Sequence, residues 1–116
     1  MEEFILIFRE SRLGSEVNSV KPTQEEILAI EKVWADWIGS IAAEGKYAGG
    51  FRPGTKGRTV KPENVITDGP YAEVKEIIVG AITVKASSME EAVELAKGCP
   101  SILNGGNVEV RDLIPA

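Results

Sequence analysis

The sequence predicts an α+β fold, and three observations carry that prediction. Two apolar runs rich in strand formers, residues 4–8 and 77–84, stand far apart along the chain. Each is followed by a helix-start signal, Thr23 with Glu26 after the first and Ser88 with Glu91 after the second. Between these halves, Pro53-Gly54 and Pro62-Glu63-Asn64 break the chain into shorter strand-like runs.

Taken in order, residues 4–8 are a continuous apolar run bounded by charges and read as a strand. The polar stretch 9–22, with Gly14, Asn18 and three serines, reads as a loop. From Thr23 onward Ile27, Ile30, Val33, Trp34, Trp37, Ile38 and Ile41 recur at helical spacing and form one apolar stripe. Glu25, Lys32 and Asp36 lie on the opposite side, and Gly45 suits the position just past the helix end. Residues 47–52 and 58–65 are expected as short strands, and 77–84 as a second buried strand. Ser88 and Glu91 open a shorter helix through Ala92, Val93, Ala96 and Cys99, which Pro100 is expected to stop. Asn104-Gly105-Gly106 reads as a turn, and 107–114 as the closing strand. Two βαβ halves joined by a hairpin make a ferredoxin-like sheet with both helices on one face. One domain spanning 1–116 is expected.

The first strand carries a further implication. Phe4, Leu6 and Phe8 point one way, and Ile5 and Ile7 the other. Two helices shield one side of the sheet only, and a chain this short has nothing left for the second side. A homodimer through the open sheet face, built on a two-fold axis, is the economical cover.

Composition narrows the function classes. Hydrophobic residues at 43% and charged residues at 27% place the chain among ordinary globular proteins rather than disordered ones. The 13 basic and 18 acidic residues leave a net charge of −5, which works against a phosphate backbone, so no nucleic-acid partner is expected. There is no histidine, which excludes Ser-His-Asp and Cys-His catalysis and removes the commonest metal ligand. The single Cys99 can form no disulfide within the chain and no multi-cysteine metal site. Its place at the end of a helix disfavours a thiolate, so it is expected to be structural. No apolar run approaches the roughly 20 residues that span a bilayer. The acidic opening, Glu2-Glu3, is unlike a signal peptide, so a soluble cytoplasmic protein is expected. No motif implies a cofactor or a metal.

Candidate chemistry gathers in residues 65–76, Val-Ile-Thr-Asp-Gly-Pro-Tyr-Ala-Glu-Val-Lys-Glu. Asp68-Gly69-Pro70 is turn chemistry, but an aspartate in a turn usually accepts from the N–H two residues on. Here that residue is Pro70, which has none, so Asp68 either takes another donor or is left for chemistry. Tyr71, Glu73 and Lys75 share one face if extended. They suit acid–base work and the polarising of a carbonyl, or equally a solvated edge or a salt bridge across a dimer. In the last strand Glu109 and Arg111 lie opposite Val108 and Val110 and point toward the open face. Arg111 can hold a carboxylate or phosphate bidentately, or pair with Glu109. Arg52 and Arg58 flank Pro53-Gly54-Thr55-Lys56-Gly57, whose spacing is not that of a Walker loop and reads as a hairpin tip.

The Thr67–Glu76 stretch resembles the Asp-Gly-Pro-Phe (DGPF) signature of the YCII-related family, with Tyr71 in the phenylalanine's place. The N-terminal apolar strand, the long helix, the Gly80 strand, the Glu90-Glu91-Ala92 helix and closing Val108-Glu109-Val110-Arg111 extend the likeness over nearly the whole chain. The resemblance implies a dimeric α/β barrel, two sheets facing each other around a shared interior. Most relatives have no established activity. A few related proteins look like cofactor-free enzymes, a dehydrochlorinase among them, and some members are associated with sigma-factor systems. A histidine–aspartate pair proposed for some members has no counterpart here, so only Asp68 and its neighbours carry over.

Two readings follow. The first is a dimeric domain that binds a small-molecule ligand or a protein, with Arg111, Glu73 and Arg58 as ligand-binding residues. The second is a cofactor-free enzyme for an elimination or isomerisation, with Asp68, Tyr71 and Lys75 as catalytic residues in the dimer cleft. The first is favoured, because acid–base work near neutral pH needs a carboxylate or lysine with a displaced pKa.

Overall fold

A computed structural model describes residues 1–11, 23–54, 56–68, 76–103 and 105–115. Strand β1 (Glu2–Ser11) leads to helix α1 (Gln24–Ala43) and strand β2 (Tyr47–Phe51). A hairpin follows, β3 (Arg58–Lys61) and β4 (Val65–Asp68), joined by a 3₁₀ turn at Pro62–Asn64. Strand β5 (Glu76–Ala86), helices α2 (Met89–Ala96) and α3 (Pro100–Leu103), and strand β6 (Asn107–Asp112) complete the chain.

The main sheet is antiparallel, in the order β2-β5-β1-β6, which is the ferredoxin-like order with the two central strands contributed by the two halves. The hairpin β3–β4 forms a separate two-stranded sheet. The turn chemistry at Pro62–Asn64 thus divides residues 58–65 between two strands. Glu63 takes the left-handed conformation, at φ 68°, and the chain reverses there so that Val65–Asp68 pairs back onto Arg58–Lys61.

Local chemistry sets the helix ends where the sequence places them. Thr23 Oγ1 accepts from the Glu26 N–H at 3.1 Å, and Gly45 at φ 72° turns the chain out of α1. Ser88 Oγ accepts from the Glu91 N–H at 3.2 Å and opens α2. Pro100 acts differently from the expectation. It begins α3 rather than merely ending α2, as a proline with no N–H to satisfy can do in a first helical turn.

The core lies between one face of the sheet and the helices. Phe4, Leu6 and Phe8 of β1, with Ile82, Val84 and Ala86 of β5, are buried against Ile41, Ala92, Ala96 and Cys99. Trp34 and Trp37 close on Phe8, with ring centroids 4.9 and 5.6 Å from it. The Trp37 indole N–H also donates to the Leu95 carbonyl at 3.1 Å, which ties α1 to α2. Val108 and Val110 pack onto the same cluster.

The apolar stripe of α1 is buried over its second half only. Trp34, Trp37 and Ile38 are half-buried and Ile41 is buried, whereas Ile27, Ile30 and Val33 are exposed. The ladder between β1 and β5 slips at a bulge between Phe8 and Arg9, and past it neither Arg9 nor Glu10 is buried. The helix runs roughly 30 Å, so its first half extends past the packed core.

Candidate functional site: the open face of the sheet

The sheet face away from the helices is set by the strand registers. Ile5 stands between Thr83 of β5 and Arg111 of β6, and Ile7 between Ala81 and Glu109. Phe51 of β2 is paired with Ala81 on the other side. Directly paired residues share a face, so these side chains form one surface with an apolar middle and a charged flank on β6. Ile5, Ile7 and Thr83 are half-buried, Ala81 is buried between its neighbours, and Phe51 is exposed.

Its charged flank is organised around Glu109. One carboxylate oxygen receives the Arg9 guanidinium, and the other lies 3.3 Å from Arg111 Nη1. Two arginines thus share one carboxylate, which leaves one positive charge in excess. Arg9 is held closely, while the Arg111 side chain is 67% exposed and keeps donors for another acceptor. Alternation in the last strand places Glu109 and Arg111 correctly on this face. Arg9 escapes the sequence reading because β1 runs on to Ser11, through residues that look like the start of a polar loop. The signal that finds it is the continued alternation Ile5, Ile7, Arg9.

The other candidate residues do not join this group within one chain. Asp68 closes β4 opposite Arg58 in the register of the hairpin sheet, apart from the sheet that carries Arg111. Arg58 is exposed and donates to the Gly57 carbonyl at 3.3 Å. Tyr71, Glu73 and Lys75, together with Gly69 and Pro70, lie outside the described residues.

Displaced proton affinities occur on the helix side. A hydrogen bond to Glu91, 3.1 Å from Lys46 Nζ, raises the Lys46 pKa, with Glu44 at 3.4 Å adding to it. The Ser87 hydroxyl, donating at 2.6 Å, and then Lys46 hold the Glu91 carboxyl below the usual range. This cluster fastens the start of α2 to the turn after α1. Burial pushes the Cys99 thiol up, so the structural role expected for it holds, though through burial rather than through a helix end.

Among the described residues no group of three or more His, Cys, Asp or Glu is arranged to hold a metal ion. No described helix is long and apolar enough to cross a membrane. With the sheet order, the helix layer and the Glu109–Arg111 strand in place, comparison with known families gives a direct result. The model of the YCII-related domain matches residues 14–116. The chain belongs to the YCII-related family. Membership covers the helix, the hairpin and the closing strand together, so the signature residues and the open-face strand belong to one family unit. No curated protein matches the chain closely enough to lend it an activity.

Proposed function

We propose that this YCII-related protein is a homodimer joined through the open faces of its sheets, and that it binds a small anionic molecule between them. One observation carries the reading. A face with an apolar middle, Ile5, Ile7 and Phe51, ends in a guanidinium, Arg111, whose carboxylate partner Glu109 is already shared with Arg9. Apolar surface of this kind favours burial against a second copy, and burial strengthens the attraction of the excess positive charge for an anion. A carboxylate or phosphate on a compact apolar body fits that chemistry.

Binding is favoured over catalysis because the described groups with displaced proton affinity, Lys46, Glu91 and Cys99, belong to the helix side. The test is a thermal-shift screen of small carboxylates and inorganic phosphate against the wild type and Arg111→Ala. A ligand present at about 100 times its dissociation constant adds about 2.7 kcal/mol to stability, a clear upward shift. Loss of that shift in Arg111→Ala is the expected result. A shift of equal size in both proteins moves the site off Arg111 and defeats the reading.

A further inference from the structure

Uncovered apolar surface on two elements lies toward one end of the domain. β1 finishes at Ser11 opposite Glu76, where β5 begins, and β2 finishes at Phe51, which β5 also flanks. α1 returns antiparallel to this path, so its first half lies at that same end, and the hairpin β3–β4 both leaves from it and returns to it. Ile27, Ile30 and Val33, the first half of the α1 stripe, are exposed there, Ile30 at 48%. On the hairpin, Val60 and Ile66 face each other across the ladder and are 69% and 61% exposed.

Neither feature is stable alone in the ordinary course. A two-stranded hairpin is marginal in water unless its apolar side packs on something, and a half-helix with an open apolar stripe has the same need. They also differ in charge. From Arg52 to Asp68 the chain carries Arg52, Lys56, Arg58 and Lys61 against Glu63 and Asp68, a surplus of basic residues. The first half of α1 carries Glu25, Glu26 and Glu31 against Lys32. The domain is spread accordingly, with a radius of gyration of 16.0 Å where a compact chain of this length has about 13 Å.

The geometry points to a clasp between two copies of this chain, in which the hairpin arm of each lays Val60 and Ile66 against the first half of α1 of the other. Among the described residues neither apolar surface is covered within one chain. A second copy supplies both what the arm lacks and what the helix lacks, with basic arm against acidic helix, and the exchange is reciprocal about a two-fold axis.

Chains carrying Val60→Cys, mixed under oxidising conditions with chains carrying Ile30→Cys, should give a disulfide-linked pair. The native Cys99 is buried and stays silent. Val60→Cys mixed with Glu44→Cys, an exposed position at the opposite end of α1, should not cross-link. Val60→Glu and Ile30→Glu, each measured separately by sedimentation, should weaken association at least tenfold with unchanged circular dichroism. An Ile30 cross-link no stronger than the Glu44 control overturns the clasp, as does association unchanged by both glutamates. These positions lie off the open face, so the clasp and the anion-binding face can fail separately.

Discussion

Gly106 sits where β6 is joined to the rest of the fold, and replacing it with alanine is the sharpest perturbation the backbone offers. A Cβ built there falls far inside contact distance of the Arg9 carbonyl oxygen and 2.9 Å from the Ser101 carbonyl oxygen. Both obstacles are backbone and cannot swing aside. The Gly106 N–H donates to that same Ser101 carbonyl at 2.8 Å, so relief of the clash also breaks this bond. Overpacking costs about 2 kcal/mol and the lost hydrogen bond about 1 kcal/mol, for a total of about 3 kcal/mol. For a chain of this size that lowers the melting temperature by about 12 °C. Gly105→Ala is the control, since its φ of 80° is strained for alanine but its Cβ meets nothing within 4 Å. It should cost about 1 kcal/mol. Urea denaturation of the three proteins decides the matter. A Gly106→Ala loss no larger than that of Gly105→Ala refutes the claim that close backbone approach seats β6. Because β6 carries Glu109 and Arg111, the same variant should also blunt any anion-dependent thermal shift.

Three further outcomes are expected. Gly39 lies inside α1 with open space around its missing Cβ, so Gly39→Ala should add about 0.5–1 kcal/mol, read as a higher urea midpoint. Ser101 Oγ is buried and has no hydrogen-bond partner among the described residues, so Ser101→Ala should be neutral or stabilising by up to about 1 kcal/mol, again by urea midpoint. The Lys46–Glu91 pair fixes a pH dependence. Lys46 is raised, so its contribution is full below the ordinary lysine range and fades only as pH climbs through the raised value. Glu91 is lowered, so its contribution is full above the ordinary glutamate range and fades as pH falls through the lowered value. Glu91→Gln should therefore be less stable than the wild type at neutral pH, and the gap should close as pH falls below about 4.

Much of this fold is legible in the sequence because the deciding forces are local. Thr23 and Ser88 announce their helices through hydrogen bonds made within three residues, and both are found at the predicted caps. The alternation of 108–111 likewise separates core valines from open-face charges. Where cover comes from elsewhere, the pattern falls short. The spacing of Ile27, Ile30 and Val33 says that they share a face, but only the length of the core decides which of them it reaches. Pro62-Glu63-Asn64 shows itself as turn chemistry, but the left-handed conformation of Glu63 that folds β4 back onto β3 is one glutamate's own preferences do not suggest. At the site, Glu109 and Arg111 follow from alternation, whereas Arg9 needs the true length of β1. The signature from Asp68 onward names the family more clearly than it names a chemistry, since Asp68 and Arg111 stand on separate sheets within one chain.

Association through the open face is the claim on which the binding site depends, and sedimentation of the wild type beside Ile7→Lys tests it most directly. Ile7 stands in the middle of that face, between Ala81 and Glu109, and lysine there buries a charge in any sheet-to-sheet contact. The wild type should sediment at twice the 12.5 kDa chain mass or a multiple of that, and Ile7→Lys should at least halve it. A wild type at 12.5 kDa, or an assembly that Ile7→Lys leaves intact, contradicts the account.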